Sequence, residues 1–346
     1  VASFSFAQPA VHVTFRSGGL ASLPDALRAS EAKRPLLVPS GSQHGAADRA
    51  EATDIGFVGR FEGVTPHVQA ESVDALRALA DERDADSFVA LGGGSAIDLC
   101  KAACFETSRT VVAVPTTYGG SELTRGAGRT SQREKGSVVW RAPRAIVYDP
   151  ALTLDFPLRA SAGSAMNALA HCVEGLYAPQ AQPLALLAAE EAIRQIGPAL
   201  RALPQAPRDP DLRGELLYGA YLAGVALAGT GMALHHRICH ILGGRYGIAH
   251  GDANAVILPH AVRFNAPAAR DAIARVARAL GTEDAATALA ALARDAGAPT
   301  SLGELELPER ELPVIAELVL AQPLTNPRPV DTAAVLQLLE KAWHGA

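Results

Sequence analysis

Cysteine is scarce in this 346-residue chain: Cys100, Cys104, Cys172 and Cys239 are the four present, with no CxxC pair and no zinc-ribbon spacing. That pattern excludes a disulfide framework and a thiolate metal site, and it reads as buried free thiols in a reducing compartment. No run approaches the ~20 apolar residues of a membrane span. The opening VASFSFAQPAVHVTF lacks the basic start and long apolar run of a signal peptide, so the expected location is the cytoplasm. Blocks of like charge are also missing. The formal net charge of −5 comes from interspersed acids and bases, which argues against nucleic acid or a membrane surface as partner and leaves a small anionic substrate open. There is no internal repeat and no low-complexity tract.

What is present is enough apolar material for two cores. Hydrophobic residues make up 49% of the chain and the mean hydropathy is positive, so two domains are expected. The runs AVHVTF, PLLVPSG, SFVALGGG, TVVAVPTT and AIVYDP alternate with helical stretches near 19–30, 71–83 and from Ser95, and a short GSVVW run precedes the last strand. This is the pattern of βαβ units and a mainly parallel sheet. After DPALTLDFP, read as a hinge, β-rich runs vanish and helical periodicity appears near 183–203, 211–230, 252–263, 266–280, 283–296 and 331–343. The fold class expected is therefore an α/β nucleotide-binding domain over residues 1–153 and an all-helical domain over 154–346.

SFVALGGGSAIDLCKA places Gly92, Gly93, Gly94 and Ser95 directly between a strand and a helix. Backbone N–H groups at a helix N-terminus bind anionic oxygen, and glycine lets a pyrophosphate approach closely. The spacing is not GxGxxG, so this turn alone reads equally as a tight strand-to-helix turn. A second strand ends as Pro115-Thr116-Thr117-Tyr118-Gly119-Gly120-Ser121-Glu122. Two such ends in one parallel sheet face one crevice, the usual ligand position in open α/β folds, which favours nucleotide binding. The earlier strand PLLVP ends on Ser40, Gly41 and Ser42 instead of an acidic residue, so discrimination between NADH and NADPH should be modest.

Five of the ten histidines fall between 235 and 260. His236 and His240 share a helical face, and His250 follows a Gly243-Gly244 break and a turn at Gly247 that can fold it back toward them. Asn167 and His171 repeat the four-residue spacing upstream. Pairs of this kind on two helices build metal cages and proton-transfer sites. Blander readings apply to their neighbours. His235 and His260 read as structural groups, Glu174 as a surface cap or ion pair, Cys239 as packing, and Asp98 as first-turn helix electrostatics.

The segments GGGSAIDLCKA, VPTTYGGSE, MNALAHCVEGLYAP, GMALHHRICHILGG and AHGDANAVILPHAVRFN occur in this order. As a set they resemble the iron-containing alcohol dehydrogenase superfamily, with its dehydroquinate synthase-like fold, and more closely its maleylacetate reductase branch. The resemblance runs nearly the whole chain, including NPRPV at 326–330. It implies an active site in a cleft between the domains, with NADH or NADPH held by Gly93, Gly94, Ser95, Asp98, Thr116, Thr117, Ser121 and Lys135. It places the positions of a divalent iron or zinc site at Asn167, His171, His236 and His250, with His240 beside the nicotinamide and substrate. A homodimer formed through sheet edges is implied as well.

Metal-dependent members carry aspartate where this chain has Asn167. An amide brings a dipole and two unwanted donors in place of a charge, so metal affinity should fall, although three neutral histidines still bind zinc. Without a cation, clustered imidazoles can stabilise an oxyanion by donating protons or charge-assisted hydrogen bonds. The expected catalytic set is His236, His240, His250, His171 and Asn167, with His240 as proton donor and Tyr118 and Arg237 as carboxylate contacts. Arg125, Arg129, Leu324-Thr325 and HGDANA depart from the branch pattern around the substrate side. The expected activity is NAD(P)H-dependent reduction of maleylacetate or a similar oxo acid to 3-oxoadipate, in aromatic-compound degradation. The alternatives are a metal-dependent alcohol dehydrogenase and a non-redox cyclase or lyase of the dehydroquinate synthase type.

Overall fold

Four strands of the first half, PLLVP, SFVALG, TVVAVP and AIVY, are almost entirely buried along their length. Near-continuous apolar runs of this kind are what a parallel sheet covered on both faces requires. The computed structural model describes residues 10–65, 68–131, 134–139, 142–179 and 181–345, with the backbone alone between 127 and 139. Contacts divide the described chain after Phe156 into two units.

The first unit carries a six-stranded, wholly parallel sheet. Its strands are β1 (His12–Phe15), β2 (Pro35–Pro39), β3 (Gly59–Arg60), β4 (Ser87–Gly92), β5 (Thr110–Pro115) and, last in sequence, β8 (Ala145–Tyr148), in the spatial order β1-β8-β5-β4-β2-β3. The helices α1 (Leu23–Ala29), α2 (His44–Glu51), α3 (Ala70–Glu82) and α4 (Gly94–Ala103) lie between strands in the sequence. From β2 the chain moves outward to β3, whereas from β4 it moves the other way to β5. The order therefore reverses between β2 and β4, and the crevice beyond their carboxyl ends is the ligand position of such sheets.

A two-stranded antiparallel sheet, β6 (Gly126–Ser131) with β7 (Glu134–Val139), precedes β8. Only part of β7 was expected from sequence. The division between the two units, after Phe156, falls within the segment DPALTLDFP. Asp149 accepts from the backbone N–H groups of Gly18 at 3.0 Å, Leu20 at 3.1 Å and Ala151 at 3.1 Å, fastening the end of the sheet to the turn after β1.

The second unit is helical, with no strand among its described residues. Its helices are α5 (Leu158–Leu176), α6 (Pro183–Ala202), α7 (Pro210–Ala228), α8 (Leu234–Tyr246), α9 (His250–Asn265), α10 (Arg270–Leu280), α11 (Ala285–Asp295), α12 (Leu312–Leu320) and α13 (Thr332–His344). Helix α5 is buried on nearly all sides by α6, α7 and α9, which is why small residues dominate it. Its backbone touches that of α9: a Cβ on Gly163 would lie 2.8 Å from the carbonyl carbon of Gly251, and one on Gly251 would lie 2.9 Å from that of Gly163. Only glycine at both positions allows this crossing. No described helix is long and apolar enough to cross a membrane.

Candidate active site

The ends of β2, β4 and β5, expected from sequence to bind phosphate, lie side by side in the first unit. Ser40 donates its backbone N–H to the Leu91 carbonyl at 2.9 Å, and Thr116 donates to the Gly92 carbonyl at 3.1 Å. The glycines are required by contact rather than by unusual dihedrals. A Cβ on Gly92 would meet Ser40 Oγ at 2.6 Å, and one on Gly93 would meet Thr117 Cγ2 at 2.8 Å. Gly93, Gly94 and Ser95 are partly exposed at the start of α4, beside Thr117 and Ser121. Ser121 Oγ has no hydrogen-bond partner among the described residues. A helix N-terminus and a glycine cradle fit the pyrophosphate of a dinucleotide.

Other expected cofactor residues occupy different roles. Thr116 is buried, so its place is in the strand end and not on the crevice surface. Asp98 forms an ion pair at 2.9 Å with Lys101, a lysine with no exposed surface. Lys101 Nζ also donates to the Ser121 carbonyl at 2.8 Å and to Thr124 Oγ1 at 3.3 Å, so one buried ammonium ties α4 to the loop after β5. Sequence reading passed over Lys101; the visible sign was a single cation in the apolar run IDLCKAAC. The side chain of Lys135 lies outside the described residues. Tyr118, expected to meet a substrate carboxylate, is instead fully buried and packs edge-on against Phe156 with ring centroids 5.8 Å apart.

In the second unit, α5, α8 and α9 bring the histidines together. Asn167, His171 and Glu174 lie along one stripe of α5 at spacings of four and three, and all three are buried. The rings of His171 and His236 stack, with centroids 4.2 Å apart and planes 10° from parallel. His236 lies 6.2 Å from His240 and 6.4 Å from His250, and the last two lie 5.8 Å from each other. His240 and His250 keep part of their surface exposed.

The route to this arrangement differs from the expected one. Helix α8 continues through Gly243 and Gly244, and the chain turns only at Gly247, whose φ of 69° is the left-handed conformation that closes a helix. His250 then opens α9, where the Gly163–Gly251 contact holds it against α5.

Glu174 is not at the surface. One of its oxygens accepts from the backbone N–H of His235 at 2.8 Å, and the other accepts from the backbone N–H of Ala233 at 2.8 Å and lies 2.7 Å from His236 Nδ1. It therefore caps the first turn of α8 from a different helix. Burial pushes its carboxyl up, opposed by His235 and by the backbone donors at the start of α8. Burial, reinforced by the neighbouring imidazoles of His236, His235 and His240, holds His171 well below the usual histidine range, so His171 is neutral. His235 is likewise held neutral by burial and is fixed against the Asn254 carbonyl at 3.4 Å. Arg237 does not reach toward the cluster's ligand side as expected: its guanidinium donates to Gln322 Oε1 at 3.3 Å and to the Pro323 carbonyl at 3.0 Å.

These two sites belong to a known lineage. The family model for iron-containing alcohol dehydrogenase matches residues 10–150, and that for the C-terminal part of the Fe-containing alcohol dehydrogenase family matches residues 161–343. The chain belongs to the iron-containing alcohol dehydrogenase family. It is 41% identical over 336 residues to the maleylacetate reductase of Pseudomonas knackmussii, covering 96% of each chain. Its structure is similar to that of the maleylacetate reductase from Agrobacterium tumefaciens, with a TM-score of 0.94, 34% identity and coverage of 100% of this chain and 99% of the other. The iron-containing alcohol dehydrogenase from Corynebacterium glutamicum also gives 0.94, at 33% identity over 100% of this chain and 98% of the other.

The family name implies a metal, and the geometry of the corresponding residues does not fit one. A ring nitrogen's lone pair lies in the ring plane, and histidine nitrogens bind zinc at ~2.0–2.1 Å. With the His171 and His236 planes 10° apart and their centres 4.2 Å apart, the two lone pairs do not converge at that distance. Asn167 supplies no charge. The ligand-capable atoms of Glu174, His235 and His236 do lie within 4.8 Å of one another. That carboxylate, however, is already engaged with two backbone N–H groups and the His236 ring.

Proposed function

We propose that this protein is an NAD(P)H-dependent reductase of maleylacetate or a closely related oxo acid, working without a resident metal. The observation that supports this reading best is the clustering of His171, His236, His240 and His250, with Asn167 Oδ1 3.4 Å from His236 Nε2. It stands beside 41% identity over 96% of the chain to a protein named maleylacetate reductase.

A bound nicotinamide supplies the hydride that adds to the conjugated carbon–carbon double bond. The residues Gly93, Gly94, Ser95, Thr117 and Ser121 bind its pyrophosphate through N–H groups and hydroxyls. As the hydride arrives, charge moves onto the conjugated carbonyl oxygen of the substrate, giving an enolate. Hydrogen-bond donors already fixed around that oxygen stabilise the charge without having to reorganise. His240 and His250 are the histidines of the cluster with exposed surface, and His240 delivers the proton that completes 3-oxoadipate. Ser40 at the end of β2 leaves room for either reduced cofactor. Assembly as a homodimer and a cytoplasmic location accompany this reading.

Consumption of NADH or NADPH on addition of maleylacetate, with one 3-oxoadipate formed per cofactor oxidised, tests it. Absence of turnover with both cofactors rules out the substrate. Activity on simple alcohols that disappears on chelation and returns with iron or zinc would establish the metal-dependent dehydrogenase reading instead.

A further inference from the structure

Between α12 and α13 the chain runs through residues 321–331 without helix or strand, and Pro323, Pro327 and Pro329 lie within that stretch. Proline fixes φ, removes an N–H and keeps the residue before it extended, so NPRPV is a stiff piece of chain. Leu324 and Val330 pack on the apolar core of the helical unit. An open cavity of about 440 Å³, lined by residues between Leu320 and Val330, lies inside the bend, so polar tethers set its path.

Asn326 Nδ2 donates to Asn265 Oδ1 at 2.7 Å and to the Arg328 carbonyl at 2.8 Å. Asn265 Nδ2 donates in return to Asn326 Oδ1 at 3.1 Å, and to Tyr177 Oη at 3.3 Å. A carbonyl can only accept, so Arg328 fixes which way the Asn326 amide faces, and Asn326 fixes that of the fully buried Asn265. Arg328 holds the same helix a second time. It donates to the Phe264 carbonyl at 3.2 Å, with its guanidinium 4.3 Å from the centre of the Phe264 ring. At the other end of the segment, Gln322 and Pro323 accept from Arg237. Phe264 and Asn265 end α9, Tyr177 follows α5, and Arg237 lies in the first turn of α8 between His236 and His240. These are the three helices that carry His250, His171, and the pair His236 and His240.

We propose that residues 322–328 are a brace for the histidine cluster, with Asn326 and Arg328 as positioning residues that hold α8 in place against α5 and α9. They act through Asn265, Tyr177 and Arg237. Cutting the brace lets the first turn of α8 shift, which moves His236 and His240 relative to His171 and His250. The kinetic consequence rests on the reductase reading; the brace does not.

The first arm of the test needs no substrate. Hydrogen exchange of the full chain, followed by mass spectrometry, should show Asn326→Ala exchanging about 10-fold faster in α8 as well as in 321–331, the scale of two lost hydrogen bonds. Strands β4 and β5 should keep their wild-type rates. Faster exchange confined to 321–331 overturns the proposal, and so does a uniform rise through every helix of the unit, which marks a general loss of stability. Arg237→Met cuts the brace from its other end, at a half-exposed residue, and should loosen α8 likewise. It carries the test if Asn326→Ala does not fold. In turnover with maleylacetate each variant should lower kcat by about 10- to 100-fold, the scale of a small misplacement at the reacting centre. The KM for NADH should stay within about 2-fold, because its crevice is built by other residues. The double variant should be no slower than the slower single variant, since both changes cut one brace. Losses that multiply overturn the proposal, as does a loosened α8 with unchanged kcat. If the wild-type protein does not turn over maleylacetate, the exchange result still decides whether the segment holds α8.

Discussion

The imidazole of His171 lies almost parallel to that of His236, 4.2 Å away and tilted by 10°. Two rings so placed share dispersion and present their edges side by side, an arrangement suited to lining a wall and unsuited to gripping an ion. Dialysis against EDTA is accordingly expected to leave reductase turnover within about 2-fold of its starting value, since metal-coupled sites lose function with their metal. Asn167→Asp should show tighter zinc binding by calorimetry than wild type, because it restores a charge beside three imidazoles. Loss of most activity on chelation, regained with iron or zinc, would contradict the arrangement described.

A second expectation concerns acid. His260 is buried with Nε2 lacking a hydrogen-bond partner among the described residues, and burial, aided by Arg263 and Lys341, lowers its pKa to about 4 from 6.5. The folded state therefore binds its proton less readily than the unfolded state. The neutral ring contributes full stability above the unfolded value of 6.5, and this is lost as the pH falls from there toward 4. Between pH 7.5 and pH 5 the loss is about 2 kcal/mol. His171 and His235 have the same sign, so His260→Phe should flatten the pH dependence of Tm without abolishing it. An identical slope in variant and wild type would show that His260 is not the group concerned.

The helix crossing gives a third prediction. Gly163→Ala drives a methyl into the Gly251 backbone, where no side chain can yield. Overpacking of this kind costs about 1–3 kcal/mol. Since His250 is the residue before Gly251, the same displacement should depress kcat by more than the loss of folded protein explains. Circular dichroism melts read alongside turnover at saturating cofactor separate the two effects.

At the crevice, Gly93→Ala places a methyl 2.8 Å from Thr117 Cγ2. A strain of about 1–2 kcal/mol at the position proposed for the pyrophosphate corresponds to about a 10-fold rise in the KM for NADH. Thr117→Ser removes the offending methyl and should recover part of that loss in the double variant. Equal KM values for Gly93→Ala and wild type would move the cofactor elsewhere.

Much of this architecture was readable in advance because it depends on local pattern. β-branched runs closed by glycine and hydroxyl residues marked the parallel strands, and four-residue spacings marked the histidine helices. What escaped depends on partners distant in the chain. The spacing that put Glu174 on the His171 stripe could not reveal that Ala233 and His235 would present their N–H groups to it. The pair Gly243-Gly244 looked like a break, yet packing carries α8 through it. Helix α12, LPVIAELVL, is apolar on most sides and shows little periodic contrast, and β6, GAGRTS, has little β-branched character. Tyr118 followed a strand end in a glycine-rich segment, and only tertiary packing against Phe156 shows that its ring is closed off.

The pairing of β1 with β8 sets His12 opposite Ala145 and Phe15 opposite Tyr148. Of the described strands β1 is made first, but it has no neighbour until the last strand of the sheet has been made. Asp149, immediately after that strand, then fastens the turn that follows β1. Contacts so far apart in sequence form late and slowly. During synthesis the first unit thus exists for a time as an unfinished sheet with an open edge, vulnerable to pairing with other chains. Its completion coincides with the start of the helical half, so the sheet is finished just as the chain that carries the histidines begins to appear.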